Sequence, residues 1–146
     1  MRKIIIYIDG GARNNPGPAA LGVVFCNEKG QIFKKYAHFL GERTNNEAEY
    51  EAAIFALKKI KALLGGRLAK ESEIELRSDS EFLIKQLKGE YKVLDPAIQN
   101  LFLQLWNLKT DFPKLKLRLI PREKNKEADL LVNEVLDSHQ KTKTLL

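Results

Sequence analysis

The spacing of apolar residues along the chain predicts an alternation of strands and helices. Residues 3–8, KIIIYI, form a nearly continuous β-branched run, which is typical of a strand buried on both faces. Runs at residues 21–26 and 31–40, joined by the turn NEKG, predict a hairpin. Alternating patterns at residues 73–78 and 114–120 predict two further strands, and the cations of the last pattern suit an exposed edge. The Gly-, Asn- and Pro-rich stretch GGARNNPGPAA between the first two strands predicts a loop.

Four helices are predicted where apolar residues recur every three to four positions. The predicted segments are residues 46–64, 80–89, a third segment from residue 96, and residues 125–140. Gly65 and Gly66 follow the first segment as a stop signal. Asp95 before a proline predicts the start of the third helix, and Asn125 is the expected N-cap of the last.

The predicted order is β-β-β-α-β-α-α-β-α, which indicates one α/β domain. We expect a five-stranded mixed sheet with helices on both faces, because no linker or repeat divides the chain. The domain is expected to span residues 1–140. The end of the chain, KTKTLL at 141–146, lacks periodicity, and we expect a flexible tail there.

Composition limits the function classes without choosing among them. The chain has 146 residues and a net charge of +6, which permits binding to nucleic acid but does not demonstrate it. The single cysteine, Cys26, excludes an intramolecular disulfide and a cysteine-based zinc site, and a place in the core is expected for it. Because no apolar run is long enough for a membrane span or a signal peptide, we expect a cytoplasmic protein without membrane contact. No obligate protein partner is implied, and we expect a monomer.

Glu49 lies on the apolar face of its predicted helix. The residues that share this face are Ala52, Ala53, Ala56, Leu57 and Ile60. The positive end of the helix dipole favours an acid in the first turn. That alternative explains an acid near the start of the helix but not the face it occupies.

Three other acids stand at the ends of predicted elements. Asp9 ends the first strand, Asp79 follows the strand at 73–78, and Asp129 lies near the start of the last helix. As alternatives, they could form a turn, cap a helix or complement a helix dipole. In open α/β sheets, however, ligands bind at the carboxyl ends of strands. Four carboxylates there would repel one another without a cation, and oxygen ligands favour Mg²⁺ or Mn²⁺.

Four blocks of the chain resemble the motifs of type 1 ribonuclease H. They are YIDGGARNNPGPAALG, TNNEAEYEAAIFAL, LRSDSEFLIKQLKGEYKV and PREKNKEADLLVNE, and the resemblance spans about residues 3–136. It implies a ribonuclease H-like fold and endonucleolytic hydrolysis of the RNA strand of an RNA–DNA hybrid, giving 5′-phosphate and 3′-hydroxyl ends. It further implies two Mg²⁺ ions per site, with Mn²⁺ as a substitute. The catalytic and metal-binding acids would be Asp9, Glu49, Asp79 and Asp129.

The same resemblance implies substrate contacts. Those near the RNA strand would be Gly10, Gly11, Ala12 and Asn15, with Glu49 as a further acceptor for a 2′-hydroxyl. Those near the DNA strand or the substrate backbone would be Thr44, Asn45, Asn46, Ser80 and Arg122. Helix capping is the alternative for the TNN motif, and a solvated loop charge is the alternative for Arg122.

Two departures from the family pattern affect substrate handling. Many members have a histidine in the loop before the last acid, whereas the loop here reads IPREKNKEAD. Some members also have a long basic protrusion, but only KGEYKVLDP joins the second and third helices here. The remaining cations are Lys85, Lys88 and Lys92, so we expect hybrid binding to rest on few phosphate contacts.

Three other functions stay open from the sequence. The chain could be a hybrid-binding module with altered catalysis, or a relative of the same fold that acts on other duplexes. It could also be a basic protein whose acids bind a structural cation. The four acids in family order and the TNN motif favour the ribonuclease.

Overall fold

The computed structural model describes residues 2–145. Within that range the elements are β1 Lys3–Ala12, β2 Gly17–Asn27, β3 Ile32–Arg43, α1 Asn45–Glu71, β4 Glu73–Ser78, α2 Glu81–Leu87, α3 Pro96–Lys109, β5 Leu115–Leu119 and α4 Lys126–Leu145. The strands form one mixed sheet in the order β3-β2-β1-β4-β5. β1 runs antiparallel to β2 and parallel to β4. The predicted element order and sheet are confirmed.

Helices cover both faces of this sheet. Alternate residues of β1, Ile4, Ile6 and Ile8, enter the main core with α1, α2 and α3. The intervening residue Ile5 packs with Cys26 and with Ala128 of α4 on the other face. β1 is therefore buried on both sides, as its continuous apolar run predicts, and Cys26 is a core residue.

β1 continues past its predicted end. It pairs with β2 as far as Ala12, so Asp9 lies within the strand and the predicted loop shrinks to residues 13–16. The small residues after Asp9 allow the antiparallel ladder to continue, and this ladder satisfies their backbone groups. Pairing of β1 with β4 stops at Tyr7, so Asp9 still lies beyond the parallel part of the sheet.

The predicted stop at Gly65-Gly66 is a kink rather than an end. Gly65 has φ 80° and ψ 162°, which are not helical, and α1 resumes as far as Glu71. Glycine tolerates this positive φ. The resumed turn buries Ala69, which gives the continuation an anchor in the core.

α4 continues into the tail as far as Leu145. The hydroxyls of Thr142 and Thr144 donate to the carbonyls of Ser138 and Gln140, one turn earlier. These bonds and the continuing helical ladder account for an extension that apolar periodicity did not predict. Leu146 lies outside the described residues, and the flexibility of the tail stays a prediction.

The sheet ends in two edge strands, β3 and β5. The position of β5 at an edge confirms the expectation drawn from its row of cations, two of which are Lys116 and Arg118. None of the helices within residues 2–145 combines the length and apolar character that a bilayer span requires.

Candidate active site

Gly10 lets the start of α1 lie directly on β1. A Cβ at this position would lie 2.3 Å from the backbone carbonyl of Ala48 and 2.5 Å from the nitrogen of Glu49. No larger residue fits without displacing the helix. Because this contact lies beside Asp9, the N-terminal part of α1 carries Glu49 to the end of the sheet where Asp9 lies beyond the parallel pairing.

Gly22 performs the same function for α4. It is the partner of Asp9 in the β1–β2 ladder. A Cβ there would lie 2.4 Å from the carbonyl oxygen of Ala128. The first turn of α4 therefore lies over β2 beside Asp9, and the residue after Ala128 is Asp129.

Asp79 enters from the end of β4. The alternative that it caps α2 is wrong, because Ser80 is the N-cap and its hydroxyl accepts from the nitrogen of Leu83 at 3.2 Å. The hydroxyl of Ser78 accepts from the nitrogen of Ser80 at 3.0 Å. Asp79 is thereby left free of capping, at the end of the strand that lies parallel to β1.

The structure brings the predicted acids together. One carboxylate oxygen from each of Asp9, Glu49 and Asp79 lies within 4.8 Å of the other two. Asp129 is not part of this three-oxygen group among the described residues, but it lines the same cavity of about 360 Å³. Asp9 is 8% exposed and Asp79 is half-buried, so this cluster is partly withdrawn from water.

Burial and mutual repulsion make these acids reluctant to ionise together. Burial, followed by the charges of Asp79 and Asp129, raises the pKa of Asp9 to about 7. Burial and the charge of Asp9 raise the pKa of Glu49 well above its usual value. Burial also raises the pKa of Asp79, although the Asn125 side chain and the charge of Arg122 oppose that shift. Positive charge at the cluster, from protons or from a cation, would therefore stabilise these carboxylates.

One oxygen of Glu49 indicates which kind of ligand this site would bind. Glu49 accepts a hydrogen bond from the backbone of Gly10, yet its Oε2 atom is buried and has no partner among the residues described. A buried acceptor without a partner is unfavourable unless a donor or a cation reaches it. The donor set consists of carboxylate oxygens, which fits a hard divalent cation and not zinc.

The loop after β1 is tied to the start of α1 by two asparagines. The Asn45 side-chain oxygen accepts from the nitrogen of Ala12 at 2.8 Å. The nitrogen of Asn45 donates to the Asn15 side-chain oxygen at 2.9 Å. Gly10, Ala12 and Asn45 thus belong to one continuous wall, and Gly11 lines the cavity with them.

Thr44 is the N-cap of α1, which confirms at this residue that part of the TNN motif caps a helix. Its hydroxyl accepts from the nitrogen of Glu47 at 3.1 Å, and the Glu47 carboxylate accepts from the nitrogen of Thr44 at 2.9 Å. Asn45 and Asn46 are exposed beside it. Arg122 lines the cavity of the acids. Thr44, Asn46, Asn15 and Ser80 lie outside the lining of that cavity.

The side chain of Asn125 does not form the N-cap that the sequence predicts for α4. Its side-chain nitrogen donates to the carbonyl of Ile8 at 2.8 Å. Its side-chain oxygen is buried and accepts from none of the described residues, so the side chain does not cap α4. Only its backbone carbonyl serves the helix, by accepting from the nitrogen of Asp129 at 3.1 Å. An asparagine before a helix fits both arrangements, so its position in the sequence could not decide between them.

The short connection between α2 and α3 is held by its own contacts. Lys85 pairs with Glu81 at 3.2 Å and lies over the ring of Tyr91, whose hydroxyl donates to Glu81. Lys88 and Lys92 are exposed. One of the three expected cations is therefore engaged within the chain, which further limits the positive surface.

Comparisons with known proteins follow the same pattern. Residues 7–135 match the model of a family described as reverse transcriptase-like. The chain is 38% identical to ribonuclease HI of Halobacterium salinarum over 135 residues, which cover 92% of this chain and 65% of that protein. LC11 ribonuclease H1, isolated from compost by a metagenomic approach, has a solved structure with a TM-score of 0.89 and 46% identity, covering 96% of this chain and 99% of that one. The chain belongs to the type 1 ribonuclease H family. A second structure from this family, LC11 ribonuclease H1 in complex with an RNA/DNA hybrid, has a TM-score of 0.88 and 46% identity and covers 94% of this chain and 99% of that one.

Proposed function

We propose that the protein is an endoribonuclease that hydrolyses the RNA strand of RNA–DNA hybrids and leaves 5′-phosphate and 3′-hydroxyl ends. The observation that carries this proposal is the cluster of three carboxylate oxygens, which lie within 4.8 Å of one another at the carboxyl ends of β1 and β4 in a ribonuclease H-like sheet. The hybrid complex of the LC11 relative supports the choice of substrate.

The four acids fit Mg²⁺ as the resident cation. Asp9, Glu49, Asp79 and Asp129 would hold it, and the Oε2 atom of Glu49, which has no partner within residues 2–145, is an acceptor that a cation would satisfy. When bound, two Mg²⁺ ions supply activation of the attacking water and neutralisation of charge at the leaving 3′ oxygen. Mn²⁺ shares these ligand preferences and is expected to substitute.

The chain itself supplies rigid positioning. Asp9 is held by strand pairing on its β2 side, and Glu49 and Asp129 are held by the glycine contacts of their helices. Preorganised charges of this kind stabilise a transition state without reorganisation during the reaction. No protein nucleophile is needed.

Recognition of the RNA strand is assigned to the wall beside Asp9. The backbone groups of Gly10, Gly11 and Ala12 border the cavity, and Asn15 braces them through Asn45. Glu49, which accepts a hydrogen bond from the backbone of Gly10, offers an acceptor for a 2′-hydroxyl. Since the 2′-hydroxyl distinguishes RNA from DNA, contacts at this wall would select the strand that is cut.

Recognition of the DNA strand is assigned to the start of α1. The Asn45 oxygen is already used by Ala12, so its amide hydrogens remain for acceptors in a minor groove. The Thr44 oxygen accepts within the cap, which leaves its hydroxyl proton for a phosphate. Asn46 and Ser80 complete the proposed contacts.

Arg122 is proposed to bind a substrate phosphate beside Asp79. Its charge already acts on the Asp79 carboxylate. A guanidinium does not exchange its proton at neutral pH, so Arg122 can hold a phosphate but cannot replace a histidine in proton transfer. The monomeric state and the cytoplasmic location belong to this proposal as predictions.

Cleavage of a substrate panel tests the function. The RNA or DNA strand is labelled in a hybrid, in duplex DNA and in duplex RNA, each incubated with Mg²⁺ or with chelator. We expect cleavage of the RNA strand of the hybrid in Mg²⁺ only. Binding without cleavage would indicate the hybrid-binding module, and cleavage of duplex DNA would indicate a different enzyme of the same fold.

A further inference from the structure

Asn125 lies at the point where three of the four acid-bearing elements meet. It is 1% exposed and stands between the short turn Arg122–Lys124 and the start of α4. Its side-chain nitrogen donates to the carbonyl of Ile8, the residue before Asp9. This bond joins parts of the chain 117 residues apart and fixes the backbone of β1 at the acid.

The same residue reaches the other two acids. Its amide interacts with the carboxylate of Asp79, and its backbone carbonyl accepts from the nitrogen of Asp129 at 3.1 Å. Glu49 is the one acid of the four that is positioned independently, through the close contact of α1 with Gly10. The side chain of Asn125 thus connects β1 with the end of β4, and its backbone carbonyl connects both with the start of α4.

The orientation of the Asn125 amide is determined by its surroundings. A rotated amide would place its oxygen against the carbonyl of Ile8 and would lose the donor that faces Asp79. In the orientation observed, the side-chain oxygen is buried without a partner among the described residues. The amide therefore contributes through its donor, since a buried acceptor without a partner does not stabilise the fold.

We propose that Asn125 is a positioning residue whose side chain aligns Asp9 and Asp79 for binding of the divalent cation. This inference rests on the proposed function, because alignment matters only if the acids act as ligands. Residues that orient metal ligands change metal affinity or activity by about 10- to 100-fold when they are removed.

The test compares Asn125→Ala and Asn125→Ser with the matched control Gln86→Ala. Gln86 is also a buried amide that donates to a backbone carbonyl, that of Lys92 at 3.1 Å, and it accepts from Tyr50. It does not line the cavity of the acids. Circular dichroism confirms folding of each variant, and the serine variant provides a second substitution if the alanine variant does not fold.

Mn²⁺ titration by calorimetry is the first readout. Both Asn125 variants should bind Mn²⁺ about 10- to 100-fold more weakly than wild type. Gln86→Ala should melt at a lower temperature but keep the wild-type affinity. Wild-type Mn²⁺ affinity in a folded Asn125 variant would overturn the inference, and so would an equal loss in Gln86→Ala.

Hybrid cleavage is the second readout and separates positioning from substrate binding. In the Asn125 variants kcat should fall by about 10- to 100-fold and recover partly at high Mg²⁺, while KM for the hybrid stays unchanged. A rise in KM alone would overturn the inference in favour of a substrate contact. If wild type does not cleave the hybrid, the proposed function fails, and the Mn²⁺ titration still decides the alignment by Asn125.

Discussion

The carboxylate of Glu49 occupies a place that folding alone does not favour. It lies in line with the fully buried residues Ala52, Ala53 and Ala56, and its Oε2 atom lacks a partner among the residues described. The pattern of apolar residues predicts this placement because the period of a helix is regular. The pattern could not predict Gly10 as the contact that makes it possible, since that contact joins distant parts of the chain.

Glu49→Gln should raise the stability of the metal-free protein by about 1 kcal/mol and remove most activity. Glutamine keeps the shape, removes a charge that burial and Asp9 oppose, and can donate to the neighbouring carboxylates. Melting curves in chelator and in Mg²⁺ measure the effect. The gain should shrink in Mg²⁺, because wild type has the full set of ligands.

Glu51→Gln is the matched control, because Glu51 lies two residues along and pairs with Arg43 at 2.8 Å. This variant should lose a little stability, on the order of 0 to 1 kcal/mol, and keep activity. If Glu49→Gln melts clearly below wild type in chelator, the metal-cluster explanation of Glu49 loses its support.

The raised pKa of Asp9 predicts a pH dependence of metal-free stability. The pKa is about 7 in the folded protein against an ordinary 3.8, so between these values the native state holds a proton that the unfolded state releases. Stability relative to Asp9→Asn should therefore fall as pH rises from 4.5 to 7, since one pKa unit corresponds to about 1.4 kcal/mol.

Chemical unfolding in chelator at several pH values measures this difference. Asp111→Asn serves as the control, because Asp111 pairs with Lys61 at 3.0 Å, away from the acid cavity. The difference in unfolding free energy between Asp111→Asn and wild type should not change in this way with pH. A constant difference between Asp9→Asn and wild type over the range would contradict the repulsion described for the cluster.

At the scale of elements, two helices are aimed at Asp9 by glycines in the strands beneath them. Capping and periodicity predict where most helices and strands lie, and the edge position of β5 follows from its cations. The continuation of β1, the kink of α1 at Gly65 and the bond from Asn125 to Ile8 depend on pairing between distant segments. Local patterns do not contain that information.

Gly22→Ala should displace α4 and lower both stability and activity. The added Cβ would lie 2.4 Å from the carbonyl oxygen of Ala128, so the helix that carries Asp129 must move. Overpacking of this kind costs about 1 to 3 kcal/mol. The melting temperature and the rate of hybrid cleavage in Mg²⁺ measure the two effects.

Gly66→Ala is the control for this substitution. A Cβ at Gly66 would meet no atom within 4 Å, so stability should stay the same or rise slightly. If Gly22→Ala is as stable and active as Gly66→Ala, the close approach of α4 does not position Asp129.

At the scale of the whole molecule, a net charge of +6 is combined with a short connection between α2 and α3. We expect the logarithm of hybrid affinity to fall with the logarithm of salt concentration with a slope on the order of −3 to −5. Binding in chelator, where cleavage does not occur, measures this slope. A slope near −10 would show many more phosphate contacts.

Two variants locate these contacts. Arg122→Ala should make the slope shallower by about 1, since it removes one proposed phosphate contact. Lys29→Ala should leave it unchanged, because Lys29 lies two residues after Asn27, which pairs with Ile4 at the end of β1 opposite to Asp9. A slope that becomes shallower in Lys29→Ala but not in Arg122→Ala would place the hybrid at the other end of the sheet.

The central claim is that the acid cluster holds a cation that cleaves RNA, and Asp9→Asn tests it most directly. Asparagine keeps the size of Asp9 but removes its charge and weakens it as a ligand. Cleavage of a hybrid labelled on the RNA strand is measured in saturating Mg²⁺, with folding checked by circular dichroism. We expect 5′-phosphate and 3′-hydroxyl products from wild type and a rate at least about 10³-fold lower from the folded variant. Cleavage by Asp9→Asn at a rate near that of wild type would show that the carboxylate of Asp9 does not hold the cation.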